Sequence, residues 1–225
     1  MNEKLQSNGE CTFCGLLTNF TGMKKHLSAC PERRERISKA NKNASTDVFY
    51  HLQVRDSDKQ EYWLDLEIKG SASLKTLDSY LRAIWLECCG HLSDFYIGGW
   101  DGRKIPKTTK ALALFETGMS LTHFYDFGTT SETIIKISES RKGAPLTHHP
   151  IFLMARNRQP LDTCIKCGQA ADWLCMECLI EDDNWGTLCD KHLKSHPHND
   201  YEPTPLVNSP RLGMCGYDGP AEPPY

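Results

Sequence analysis

Nine of the eleven cysteines stand at spacings that suit metal ligands. Near the start is Cys11-x2-Cys14-x11-His26-x3-Cys30. Near the end is Cys164-x2-Cys167-x7-Cys175-x2-Cys178-x10-Cys189-x2-His192-x3-His196, with Cys215 further on. Zinc takes four thiolate or imidazole ligands, and a Cys-x2-Cys turn delivers two sulfurs to one ion without strain. One such pair is easily chance; three pairs with a downstream Cys-x2-His are not. These twelve residues form three sets of four, which predicts three zinc ions.

The C-terminal ligands can be divided in two ways. A cross-braced module joins the first, second, fifth and sixth ligands, then the third, fourth, seventh and eighth. That gives Cys164, Cys167, Cys189 and His192 to one ion. Cys175, Cys178, His196 and Cys215 go to the other. His198 competes with Cys215, but Pro197 restricts how two histidines so close could converge. The alternative is a sequential site of Cys164, Cys167, Cys175 and Cys178. The ligand order resembles B-box and related cross-brace fingers, a resemblance that implies protein contacts. In every division the protein fills all four positions. A catalytic zinc keeps one position for water, beside groups that move protons. The chain has no HExxH, no His-x-Glu with Pro-Cys-x2-Cys, and no Gly-rich phosphate loop with its Lys. The metals therefore read as structural, and no catalytic residue is assigned.

These modules need a larger body to hold them. A chain of 225 residues accommodates one ordinary core with small satellites. No apolar run is long enough for a spanning helix. The opening MNEKLQSNGE is polar and does not read as a secretory signal. Eleven cysteines in a reducing compartment favour zinc thiolates over disulfides, so a cytoplasmic setting is expected. The net charge of -3 hides a gradient. Residues 1–45 carry eight Lys/Arg against four Asp/Glu, and residues 161–225 carry four against eleven. The basic start suits nucleic-acid phosphate, and the acidic end is repelled by it.

Three units are expected: residues 1–45, a zinc finger with a basic helical hinge; 46–158, an α+β domain; and 159–225, a two-zinc module with a tail. In the finger, MKKHLSAC reads as a short helix with Phe13, Phe20, Met23 and Leu27 as its small core. The polar stretch NKNASTD marks the first boundary. Strands are expected over 49–54 and 61–68, where Tyr62, Leu64, Leu66 and Ile68 would share a face. A helix follows over 73–88, with Ser73 as its N-cap and Leu74, Leu77, Leu81, Ile84, Trp85 and Cys88 as its apolar stripe. GGWDGRKIP reads as a turn. Further strands are expected over 92–97, 121–127, 133–137 and 151–155, and a short helix over 109–115. Cys88 and Cys89 lack ligand spacing and read as core thiols. His91 reads as a helix-terminus residue and Asp126 as an Asx turn before Gly128.

CGHLSDFYI at 89–97, through His91, Leu92 and Phe95, and FYDFG at 124–128 give the central domain a resemblance to the plasmid pRiA4b ORF-3-like family. The resemblance spans about residues 47–140 and implies a mixed α+β sheet packed by helices, with no general activity attached. The chain departs from the family at RDSDKQEYW, where a Pro-Pro-x-x-Trp-Arg-Arg segment is usual, and at Thr129–Thr133, where Asp-x-Trp-x-His is usual.

The leading expectation is a non-enzymatic zinc-containing binding or adaptor protein with a protein partner. Weak nucleic-acid contact would come from residues 11–42, through Lys24, Lys25, Arg33, Arg34, Arg36, Lys39 and Lys42. One alternative is a hydrolase-like or nucleic-acid-processing enzyme using Asp126, His91, His123 and Glu132 beside Tyr125. The other is a structural subunit of a larger assembly.

Overall fold

The computed structural model describes residues 7–42 and 46–225. The boundary expected at NKNASTD falls mainly on 43–45, outside the described residues. The fold is α+β, built on a large central sheet with candidate metal modules toward the termini. A hairpin of β1 (Asn8–Cys11) and β2 (Leu17–Asn19) leads into two helices, α1 (Phe20–Ala29) and α2 (Pro31–Asn41). Strands β3 (Asp47–Asp56) and β4 (Trp63–Lys69) precede helix α3 (Leu74–Leu81), which runs into a π-helical turn, Arg82–Leu86. Then come β5 (Ser93–Ile97), β6 (Arg103–Ile105), α4 (Ala111–Leu114), β7 (Ser120–Tyr125), β8 (Ser131–Gly143) and β9 (Ile151–Asn157). The C-terminal module holds only short pieces: β10 (Trp173–Leu174), α5 (Met176–Ile180), β11 (Thr187–Leu188), α6 (Asp190–Leu193) and β12 (Thr204–Pro205).

Nine strands form one sheet in the order β2-β1-β9-β4-β3-β8-β7-β5-β6, and every pairing is antiparallel. The finger's hairpin is therefore part of the central sheet: Gly9 pairs with Asn157 and Cys11 with Ala155. GGWDGRKIP turns over 98–102 as expected, with Gly102 N donating to Gly99 O at 3.0 Å, and its remainder contributes the edge strand β6.

Strand alternation explains why both faces of β4 are buried. Leu64, Leu66 and Ile68 join the main core with Leu52, Val54, Leu77, Leu81, Ile84 and Trp85. Trp63 points the other way, into a second cluster with Met23, Leu27, Cys11, Cys30, Met154 and Ala155. The polar residues of that second face are paired, as burial requires. His51 Nε2 lies 2.5 Å from Asp65 Oδ1, and Arg141 Nε donates to Glu67 at 2.7 Å. Ser73 caps α3 by accepting from Thr76 N at 3.3 Å. The expected helix over 73–88 stops early: after Leu86 the chain turns extended at Glu87. Cys88 is thus half-buried against the margin of the main core, and Cys89 is exposed, so of the two expected core thiols only Cys88 touches the core. Among the described residues no helix is long and apolar enough to cross a membrane.

Candidate metal centres

The N-terminal centre is assembled by the hairpin and α1. Gly15 takes φ +74° as the chain turns past Cys14, a backbone region that favours glycine. Its N–H donates to Cys11 O at 2.8 Å, closing the knuckle. Asn19 caps α1 by accepting from Gly22 N at 2.9 Å, which aims His26 back toward the cysteines. Cys30 ends that helix. The donor atoms of Cys11, Cys14, His26 and Cys30 all lie within 4.8 Å of one another. Burial pushes the Cys11 thiol up to about 12, so a cation is what would make it a thiolate there.

The C-terminal donors interleave. Cys164, Cys167, Cys189 and His192 meet in one group, and Cys175, Cys178, His196 and His198 in another. The sequential grouping of four cysteines is not what the structure has. For tetrahedral zinc, bond lengths of about 2.3 Å to sulfur and about 2.0 Å to nitrogen give edges of about 3.8 Å between sulfurs and about 3.5 Å between sulfur and nitrogen. The first group has Cys167 Sγ to Cys189 Sγ at 4.0 Å and Cys164 Sγ to His192 Nδ1 at 3.5 Å. The second has Cys175 Sγ to His198 Nδ1 at 3.5 Å and Cys178 Sγ to His196 Nε2 at 3.2 Å. These donor sets fit a closed zinc site.

Local structure makes the interleaving possible. Cys175 stands at the N-cap of α5, and its sulfur accepts from Cys178 N at 3.4 Å. Gly186 lets the next strand pass: a Cβ there would sit 2.5 Å from Cys178 Cβ. Burial acts to raise the Cys164 thiol, but backbone N–H groups of Cys189, Lys166 and Cys167 outweigh it and bring it down to about 6. Burial pushes Cys178 the other way, up to about 11.

One expected ligand belongs elsewhere. Cys215 does not complete the Cys175–Cys178 group; His198 does, with its Nδ1 3.2 Å from His196 Nε2. The constraint expected of Pro197 is met by presenting different ring nitrogens. Cys215 instead lies beside Cys88, Cys89 and His91. Two adjacent cysteines carry no Cys-x2-Cys signal; the nearby Cys89-Gly90-His91 was the one hint available in the sequence.

The groups considered for an enzymatic site are divided between two networks. His123 is fully buried, its Nε2 2.8 Å from Asp78 Oδ1, where Ser93 and Lys107 also converge. Asp126 accepts from the buried Arg211 at 2.5 Å and from Gly128 N at 3.0 Å. Glu132 contacts neither; burial and the nearby Asp58 raise its carboxyl.

The basic helix is partly tied to the protein, though Arg34, Arg36 and Lys39 stay exposed. Arg33 is buried and donates to Leu27 O at 3.0 Å. Arg34 donates to Ser28 O at 3.0 Å, and Arg36 reaches Leu146 O and lies over the Phe152 ring. Lys39 pairs with Glu35.

No family model matches the chain, and no curated protein does. The pRiA4b ORF-3-like resemblance is thus unsupported as a family assignment. A solved structure of a protein of unknown function from Methanosarcina mazei Go1 matches in part. It is 14% identical, with a TM-score of 0.41, over 47% of this chain and 67% of that one. So distant a likeness says nothing of what this chain does.

Proposed function

We propose that this is a non-enzymatic, zinc-containing binding or adaptor protein. Three zinc ions would sit at Cys11, Cys14, His26 and Cys30; at Cys164, Cys167, Cys189 and His192; and at Cys175, Cys178, His196 and His198. The observation that carries this reading is that each group brings four protein donor atoms within 4.8 Å of one another, enough to fill a tetrahedral zinc without a substrate or an activated water. Two further observations favour a protein partner. The C-terminal module is strongly acidic. At one end of the sheet Leu92, Trp100 and Phe127 are exposed, with the Trp100 ring 5.7 Å from that of Phe127. Phosphate binding by residues 11–42 is the weaker reading, because Arg33 is buried and the exposed Arg34 and Arg36 each already donate to a backbone oxygen within the protein.

Cobalt substitution tests the claim. Saturated centres give tetrahedral thiolate spectra that do not change when azide or cyanide is added. A spectral shift on adding either anion would reveal an open metal position and overturn the non-enzymatic reading. A fluorescence titration with DNA at low salt covers the weaker reading; tight binding there would restore it.

A further inference from the structure

Cys88, Cys89, His91 and Cys215 form a fourth donor group, separate from the three above. We propose that they bind one additional soft divalent cation of the zinc class, clipping the C-terminal tail to the central domain. The proposal is independent of the binding role argued above.

The geometry is that of a coordination shell. Cys88 Sγ to Cys89 Sγ is 3.8 Å, and Cys89 Sγ to Cys215 Sγ is 3.7 Å. Both match the sulfur–sulfur edge of about 3.8 Å implied by tetrahedral zinc thiolates. His91 Nε2 lies 3.3 Å from Cys215 Sγ and 3.0 Å from Cys89 Sγ. A disulfide would bring two sulfurs to about 2.05 Å, so these are separate thiols.

The chain is shaped to bring these groups together. The π-helical turn releases it at Glu87, and Glu87 Oε1 accepts from Gly90 N at 2.7 Å, curling residues 88–91 into a tight bend. Gly90 takes φ +84° at its apex. Cys215 is left-handed at φ +50°. A non-glycine residue held there is strained and persists where its surroundings demand it. The tail reaches this place through its own contacts. Ser209 Oγ donates to Trp85 O at 2.6 Å, and Arg211 donates to Thr129 O at 2.6 Å and Ser131 Oγ at 3.0 Å.

The charges also suit a cation. Three thiolates and one divalent ion leave a single negative charge. Arg211 Nη2, 3.6 Å from Cys88 Sγ, offsets it. Asp126 Oδ2 is the other candidate partner for His91 Nε2, at 3.4 Å. Asp126 keeps its hydrogen bonds from Arg211 and Gly128 whether or not that nitrogen turns to a metal.

Elemental analysis of the reduced, zinc-replete full chain is the test. The wild type should hold four ions. Cys215→Ser and Cys89→Ser should each hold one fewer, with a matching loss of thiolate charge transfer after cobalt substitution. Because both cysteines are exposed, this ion should also be the first removed by graded chelation. His91→Ala serves as the arm least prone to disturb the fold, and it too should lose one ion. Unchanged metal content in all three variants overturns the proposal. So does a wild type whose mass shows a Cys88–Cys89 or Cys89–Cys215 disulfide under reducing purification. Failure of the three-zinc reading would look different, as a wild type holding fewer than four ions whose variants each still lose one.

Discussion

The two terminal candidate metal modules bring together similar donors on different foundations. The N-terminal finger shares its core with the sheet: Met23 and Leu27 pack on Trp63, Met154 and Ala155, and β1 continues the ladder beside β9. The C-terminal module has a smaller apolar store: one cluster of Leu174, Met176 and Leu212, and an inner one built mostly from its own cysteines. Of the four buried members of its inner cluster, three are cysteines, with Leu188 the fourth. Its strands are two residues long. Apolar burial stabilises roughly in proportion to area, so the first module, backed by the central sheet, draws more stability from sources besides metal than the second does.

Metal removal should expose that difference, and it is the largest effect expected. In small zinc modules the metal's binding free energy, about 10–16 kcal/mol, is also folding free energy. Chelation at neutral pH should abolish hydrogen-exchange protection over residues 163–204. The β1–β9 ladder should keep most of its protection. Equal loss at both ends would mean that the finger's junction with the sheet contributes little.

Trp63→Ala attacks the junction itself. Trp63 is buried between the sheet and the finger, where its ring meets Phe20 at 5.8 Å. A loss of about 3–5 kcal/mol is expected in denaturant unfolding. The finger should lose protection before the rest of the sheet, while the C-terminal module stays as it was.

A smaller effect separates the central core from both modules. Burial acts to raise the Asp78 carboxyl, but hydrogen bonds from His123, Ser93 and Lys107 prevail and hold it below the ordinary carboxylate range. A depressed folded pKa stabilises above the unfolded value of about 4 and loses that stabilisation as pH falls through the folded value. Asp78→Asn should therefore cost about 1–3 kcal/mol near neutral pH, with the gap to wild type closing on acidification. A pH-independent gap would assign the loss to packing alone.

Much of this organisation was legible in the sequence, for physical reasons. The Cys-x2-Cys pairs announce themselves by spacing, because a knuckle is a local structure. The alternation of Leu64, Leu66 and Ile68 marks a half-buried strand. The opposite face of β4 was not legible, since Asp65 and Glu67 look solvent-facing until His51 and Arg141 arrive from β3 and β8. The partner of Cys215 was hidden for a similar reason. Its neighbours at 88–91 are more than a hundred residues away in the chain, and they looked like the end of a helix. Only the π-helical turn, which ends that helix early, sets Cys88, Cys89 and His91 free to face the tail.

Diffraction at the zinc absorption edge on crystals of the reduced protein tests the central claim, that protein-saturated metals organise this molecule. The account predicts an anomalous peak within each of the four donor groups, each with four protein ligands and no coordinated water. Disulfides among these cysteines, or a centre holding a water molecule in place of one of the named ligands, would contradict it.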